Sequence, residues 1–318
     1  MTPNDLEPIR QHISSKIIGQ YDLIDNMLIC LLSDGHMLIE GLPGLAKSTA
    51  VNALSEAISG SFQRIQFTPD LLPSDLIGTD IYRAETSTFE FREGPLFNHI
   101  LLADEINRAP VKVQSALLEA MGERQITVGK TTYELPQFFM VLATQNPVEQ
   151  EGTYQLPEAQ LDRFLMQVNV EYPTAAEELK ILDLDLNQQT TKIIKPRARL
   201  SQKKIFLMRK AASEIFTDPK INRYIVNLVQ ATRKASQYDK QLGRWIRIGA
   251  SPRASLAIAR TARAKAWLEG ESIVSPGHVQ DVALPILRHR ILLSFEAEAE
   301  GITKDQFIDE LIARIAVP

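Results

Sequence analysis

Short apolar runs alternate with amphipathic stretches through the first half of the chain, the pattern of a parallel β-sheet flanked by helices. The runs predict strands at 36–40, 62–67, 100–104, 138–144 and 164–172. In the second half the apolar residues recur at spacings of three and four, as in Ile205, Met208, Ala212 and Ile215, and in Ile221, Ile225 and Leu228. That is a helical period, and only a short stretch at 192–194 reads as a strand there. Three helix starts place a capping side chain before a proline: Asp218-Pro219, Ser251-Pro252 and Ser275-Pro276. The pattern predicts an α/β domain over 1–172 and a smaller all-α domain over 173–318. Two further stretches read as hairpins, either plain surface hairpins or working loops. One is 126–133, with β-branched residues around Gly129-Lys130, and the other is 86–91, where Thr and Phe alternate.

Two domains suit a chain of 318 residues. Cys30 is the single cysteine, which excludes a disulfide framework and a cysteine-built metal site. The histidines are scattered without metal-binding spacing, and no apolar run is long enough to span a bilayer. The start lacks the basic-then-apolar order of a signal peptide, so a cytoplasmic setting without membrane insertion is expected. The net charge of −4 conceals a strong asymmetry. Residues 1–191 carry 12 basic and 27 acidic side chains, a net −15, whereas residues 192–270 carry 19 and 4, a net +15. Such a basic block suits nucleic acid, an acidic protein, or the acidic region of a second copy of the chain.

The most specific local signal is Gly41-Leu42-Pro43-Gly44-Leu45-Ala46-Lys47-Ser48-Thr49, after the strand at 36–40 and opening a helix from Lys47 to about Ser59. Strand, glycine loop, Lys-Ser and helix are the parts of a phosphate-binding loop. In such a loop backbone N–H groups at the helix start hold the polyphosphate of ATP, Lys47 would reach its β- and γ-phosphates, and the Ser48 hydroxyl would ligate Mg²⁺; the alternative is an ordinary Gly-Pro turn into a helix. Ala46 stands where glycine is usual and is expected to keep an ordinary negative φ, with a small adjustment of the loop.

An apolar run, 100–103, ends in two carboxylates, Asp104 and Glu105. Buried carboxylates need partners. In a nucleotide site Asp104 holds Mg²⁺ through water and Glu105 orients the attacking water. The run is common by chance; its place, 57 residues after Lys47, gives it weight. The segment Val141-Leu-Ala-Thr144-Gln145-Asn146-Pro147 ends a strand at a polar amide, and Asn146 suits a contact with both the γ-phosphate and that water, or a plain turn. Arg163, beside Asp162 and just before a strand, is a surface ion pair or, in a ring, an arginine finger for the neighbour's γ-phosphate. Arg253 follows Ser251-Pro252 at a helix start, against the helix dipole, unless a phosphate offsets that placement.

Together, the Gly41–Ser48 loop, Asp104-Glu-Ile-Asn-Arg108-Ala, Ala143-Thr-Gln-Asn-Pro147 and Gln160-Leu-Asp-Arg-Phe164 resemble the MoxR group of AAA+ ATPases. Ile18-Gly19-Gln20 resembles the segment that packs against the base in this group, and the likeness runs from about Ile17 to about Ile291. The group usually has threonine at position 48, and serine supplies the same hydroxyl. The resemblance implies a P-loop AAA+ domain with a helical lid, assembled as a homo-oligomeric ring, often a hexamer, with ATP between subunits. It implies that Lys47, Ser48, Asp104, Glu105 and Asn146 serve in cis, Arg163 in trans, and that Arg253 closes the lid in cis, with Arg108 and Arg124 as alternative fingers. The hairpins match family insertions, where ATP-driven motion reaches a protein client. Family members are chaperone-like remodellers, often with a separate von Willebrand factor A domain protein, sometimes for insertion of a metal cofactor.

A nucleic-acid motor or loader, or an ATP-dependent transcriptional regulator, is the alternative function. The motifs suit it equally, because phosphoryl transfer is shared. The basic block holds few aromatics for base stacking (among them Phe206, Phe216, Tyr224, Tyr238 and Trp245), and helical spacing turns several of them to the core. The preferred expectation is that the basic lid faces the acidic nucleotide domain of the adjacent subunit.

Overall fold

A computed structural model describes residues 1–146, 153–188 and 199–318. Five parallel strands form one sheet: β1 (Met37–Gly41), β2 (Phe62–Gln66), β3 (Ile100–Asp104), β4 (Met140–Gln145) and β5 (Met166–Val170). Their spatial order is β5-β1-β4-β3-β2. Each lies within two residues of a predicted run. β5 starts later than predicted because Phe164 still belongs to the turn before it, its N–H bonded to Leu161 O. The central strands are buried on both faces, which explains why they read as unbroken apolar runs rather than alternating ones.

Side chains alternate between two cores. Met37, Ile39, Ile100, Leu102, Met140 and Leu142 face one core, and Leu38, Leu101, Ala103, Val141 and Ala143 face the other. The first core takes in α1 (Glu7–Ser14), α2 (Tyr21–Leu32) and α3 (Lys47–Ala57) and continues into the lid. The second is covered by α4 (Val111–Glu123). α3 stops two residues short of its predicted end, because Ile58–Ser59 pairs with Leu200–Ser201 as a short parallel ladder.

After β5 the described chain is helical: α5 (Ala175–Gln188), α6 (Gln202–Ser213), α7 (Pro219–Arg233), α8 (Pro252–Leu268), α9 (Pro276–Leu287) and α10 (Lys304–Arg314). The three predicted Ser/Asp-Pro starts open α7, α8 and α9, and in each the capping side chain accepts a backbone N–H of the first turn. The stretch at 192–194 and Pro147 lie outside the described residues. Short strands do occur in the lid at Ile246–Ile248 and Leu292–Leu293, too brief for a period to show. The lid grips α2 through Arg209 Nε on Leu31 O (2.8 Å) and Arg260 Nη1 on Ser33 O (3.3 Å). Both hairpins form. The first pairs Gly78–Arg83 with Thr88–Glu93, so only its second arm was legible, and the second pairs Gln125–Val128 with Thr131–Glu134.

Candidate nucleotide site

The loop after β1 turns at the carboxyl ends of the strands. Leu42, Pro43 and Gly44 are its exposed crest, Leu45 tucks into the core, and Thr49 is exposed on the first turn of α3. Gly44 takes φ +86°. Ala46 takes φ +54°, ψ +18°, a left-handed conformation, so the expectation of a negative φ is corrected. The loop needs that turn to aim successive N–H groups inward, and alanine accepts it at a cost of about 1–2 kcal/mol. Gly19 also sits at this end. It lies against the Glu177 carboxylate of α5, while Gln20 Nε2 donates to Glu171 O (3.0 Å) just past β5.

Lys47 is buried, and its ammonium donates to Gly41 O, to Asn146 Oδ1 (3.0 Å) and to Gln145 O (3.4 Å). Burial pulls its pKa down, and Asp104, Glu105 and Glu40 oppose that pull. β4 lies between β1 and β3, and this order brings Asn146 between the loop and the acidic pair. Its Nδ2 donates to Glu105 Oε1 (3.3 Å). Ser48 Oγ donates to Asp104 Oδ2 (3.0 Å), so the hydroxyl and carboxylate named as Mg²⁺ partners face each other. Hard oxygen donors of this kind fit that ion.

Four residues here were missed by the sequence reading. Thr144 Oγ1 donates to Asp104 Oδ1 and accepts the Glu105 N–H (2.9 Å), tying both acids to β4. Arg64 donates twice to Asp104 Oδ2 (2.7 and 3.0 Å). Gln66 Nε2 donates to Glu105 Oε2 (2.8 Å), and Asn107 Nδ2 to Asn146 O (3.1 Å). Only strand order places them, and strand order is not written in the residues. Arg108, an alternative finger, pairs with its own Glu105 (3.2 Å).

Arg163 and Arg253 lie elsewhere. Leu165 N–H bonds to His36 O at the amino ends of β1 and β5, whereas the phosphate loop leaves the carboxyl end of β1. A five-residue strand spans roughly 13–16 Å, so Arg163 faces away from its own loop. Arg253 shares that end. Its Nη1 is 3.9 Å from Asp162 Oδ2, and it lines a cleft of about 450 Å³ with Arg163, Arg124, Arg260 and Arg290. In this structure Arg253 thus lies at the end of the sheet opposite its own phosphate loop, not beside it as expected. The Ser251 hydroxyl, which accepts the capping N–H of Arg253, also donates to Asp162 Oδ2 (2.9 Å) and docks the start of α8 at the far end of the sheet. Arg124, the other alternative finger, is held by Asp34 (2.6 Å) in the same cleft.

Residues 36–166 match the family described as ATPases associated with various cellular activities (AAA), and residues 244–311 match the AAA lid domain. Chaperone MoxR1 of Mycobacterium tuberculosis is 44% identical over 95% of this chain and 79% of its own length. The YeaC protein of Bacillus subtilis is 42% identical over 99% of this chain and 96% of its own. Protein MoxR of Paracoccus denitrificans is 33% identical over 96% and 94%. The crystal structure of an ATPase candidate from Cytophaga hutchinsonii superposes with a TM-score of 0.90 at 42% identity, covering 99% of this chain and 96% of that one. With a phosphate loop, an acidic strand end and a bridging asparagine joined across one parallel sheet, the chain belongs to the MoxR family of AAA+ ATPases.

Proposed function

We propose that the chain hydrolyses Mg²⁺-ATP at the interface between subunits of a homo-oligomeric ring, a hexamer in the family pattern, and uses the cycle to remodel a protein client. The Asn146 bridge from Lys47 to Glu105 carries this reading, because it joins phosphate binder and water-orienting carboxylate. The loop of 41–49 binds the phosphates, and Gly19 borders the base. Ser48 holds Mg²⁺, and Asp104 holds it through water; when bound, the ion neutralises charge on the β- and γ-phosphates. Glu105 orients and polarises the water, with Asn146 fixing its second side.

Arg163 and Arg253 complete the neighbour's site, where positive charge offsets the charge that builds on the transferring phosphoryl group. Their shared position away from their own loop supports a trans role for both. We take the domain boundary at 172/173 and place the protein in the cytoplasm. The client link follows the description of one relative, MoxR1 of Mycobacterium tuberculosis, as a chaperone. A von Willebrand factor A domain partner and metal-cofactor insertion are the specific form to test first. Much of the basic lid is engaged within the chain, as in Arg209 with Asp34 and Lys265 with Glu269 and Asp281, which weighs against nucleic acid.

Mixed rings test the reading. Glu105→Gln protein binds ATP and turns over about 10²–10⁴-fold more slowly. Arg163→Ala protein binds ATP and fails to hydrolyse it. Mixing the two restores hydrolysis at hybrid interfaces. Absence of recovery, with assembly intact by sedimentation, refutes a trans Arg163.

A further inference from the structure

The segment carrying Arg163 is gripped by three consecutive residues of the lid. Arg288, His289 and Arg290 follow α9, and each bonds to the stretch from Asp162 to Gln167. Arg290 is almost fully enclosed, its side chain 3% exposed. Nε donates to Asp162 Oδ1 (2.6 Å), Nη1 to Leu165 O (3.0 Å) and Ile286 O (2.6 Å), and Nη2 to Phe164 O (2.7 Å) and Asp162 O (3.5 Å). All five N–H donors of the guanidinium are used. His289 Nε2 donates to the same Phe164 O (3.0 Å). Arg288 joins Gln167 O (2.9 Å) to the Asp305 carboxylate at the start of α10 (2.6 and 2.7 Å).

These bonds fix the backbone on both sides of Arg163. The residue before it is held through its carbonyl and its carboxylate, and the residue after it through a carbonyl that accepts twice. The Asp162 carboxylate also takes the Ser251 hydroxyl at the start of α8, next to Arg253. A clamp whose function was only to seat the lid would have no reason to converge on the residues flanking the finger. We propose that Arg290, with His289 and Arg288, positions Arg163 from the lid, so that each subunit's lid sets the finger offered to the next subunit. Arg290 is thus a positioning residue, buried behind the finger. The inference rests on the trans role of Arg163.

Loss of the clamp lets the finger drift, and a displacement of about 1 Å at a transition-state contact costs about 10²-fold in rate. Arg290→Gln therefore lowers kcat by about 10²-fold while binding of a fluorescent ATP analogue to the intact phosphate loop is unchanged. Asp162→Asn is the second variant; it leaves the carbonyl bonds of Arg290 in place and serves if Arg290→Gln does not fold. Each variant is mixed with Glu105→Gln protein and, separately, with Arg163→Ala protein. Hydrolysis should recover with the first partner, which has an intact finger, and stay at the low level of the variant with the second. Recovery with Arg163→Ala, no recovery with Glu105→Gln, or full kcat in both variants overturns the inference. The Arg163→Ala and Glu105→Gln pair runs as the control: if it recovers and the lid variants do not, the clamp is refuted and the shared site stands; if it fails, the shared site falls and the clamp with it.

Discussion

Ala46 and Glu105 both hold left-handed backbone, at φ +54° and +56°, on the two sides of the nucleotide site. Neither has the small polar side chain that eases this conformation, so each stores strain on the order of 1–2 kcal/mol. At Glu105 the turn sends the N–H to Thr144 while the carboxylate meets Asn146 and Gln66. At Ala46 the strain serves only the loop, and glycine would relieve it. Part of the gain is cancelled by the greater freedom of glycine in the unfolded chain. Ala46→Gly is expected to raise stability by about 0.5–1 kcal/mol, read from the urea midpoint. Gly122 shows the opposite demand. A Cβ there would come within 2.9 Å of Arg163 Nε, so the Arg163 side chain would have to shift. Gly122→Ala is expected to lower kcat by up to about 10²-fold with nucleotide binding unchanged, as steady-state kinetics and binding titration would reveal.

The two hairpins are joined by rings. Phe91 of the first stacks on Tyr133 of the second at 4.1 Å and 18°, and Phe97 meets both edge-on at 5.7 and 6.4 Å. Such pairs add about 0.5–1.5 kcal/mol each beyond the area they bury. The stack lets displacement of one hairpin carry to the other. Tyr133→Ala should therefore speed amide exchange in residues 78–93, a different hairpin, several-fold while leaving α3 unchanged; hydrogen-exchange mass spectrometry resolves the two regions. Exchange confined to 125–134 would show that the hairpins open independently. The helix starts show the other side of this scale. Their capping bonds are local, which is why Asp218, Ser251 and Ser275 were legible as caps before any packing was known.

At the scale of the whole molecule two buried histidines matter, His36 within the sheet domain and His289 between the lid and the segment before β5. His36 accepts the Val141 N–H on Nδ1 (3.0 Å), and burial, with Arg124 nearby, lowers its pKa to about 4. Burial also holds His289 well below its ordinary value. In the unfolded chain such an imidazole takes a proton near pH 6.5, before the folded one does. Stability from His36 is thus complete above about pH 6.5 and lost as pH falls towards about 4. The gap corresponds to about 3 kcal/mol. Urea midpoints should fall across that window, and His36→Asn, whose amide oxygen still accepts the Val141 N–H, should flatten the slope in part, with His289 supplying the remainder. An unchanged slope would assign the acid sensitivity to other groups. The charge asymmetry acts at this scale too: if basic lids meet acidic nucleotide domains, ATP-dependent assembly weakens as salt rises, and sedimentation indifferent to salt counts against that contact.

The residues alone determined the parallel α/β domain, the helical second half, the phosphate loop and the acidic strand end, because these are local patterns of period, capping and adjacency. Asn146 was legible through its motif, but its bridging position required β4 to lie between β1 and β3. Tertiary structure decided the rest. Arg64 and Thr144 reach Asp104 only through sheet order; Arg163 reaches the far end through the parallel pairing of β5 with β1, and Arg253 through the docking of α8 on Asp162. The Arg288–Arg290 clamp spans more than 120 residues of sequence, and no period or spacing encodes a contact at that distance. Ala46 carries the same lesson at one residue: its side chain favours negative φ, and the surrounding loop overrules it.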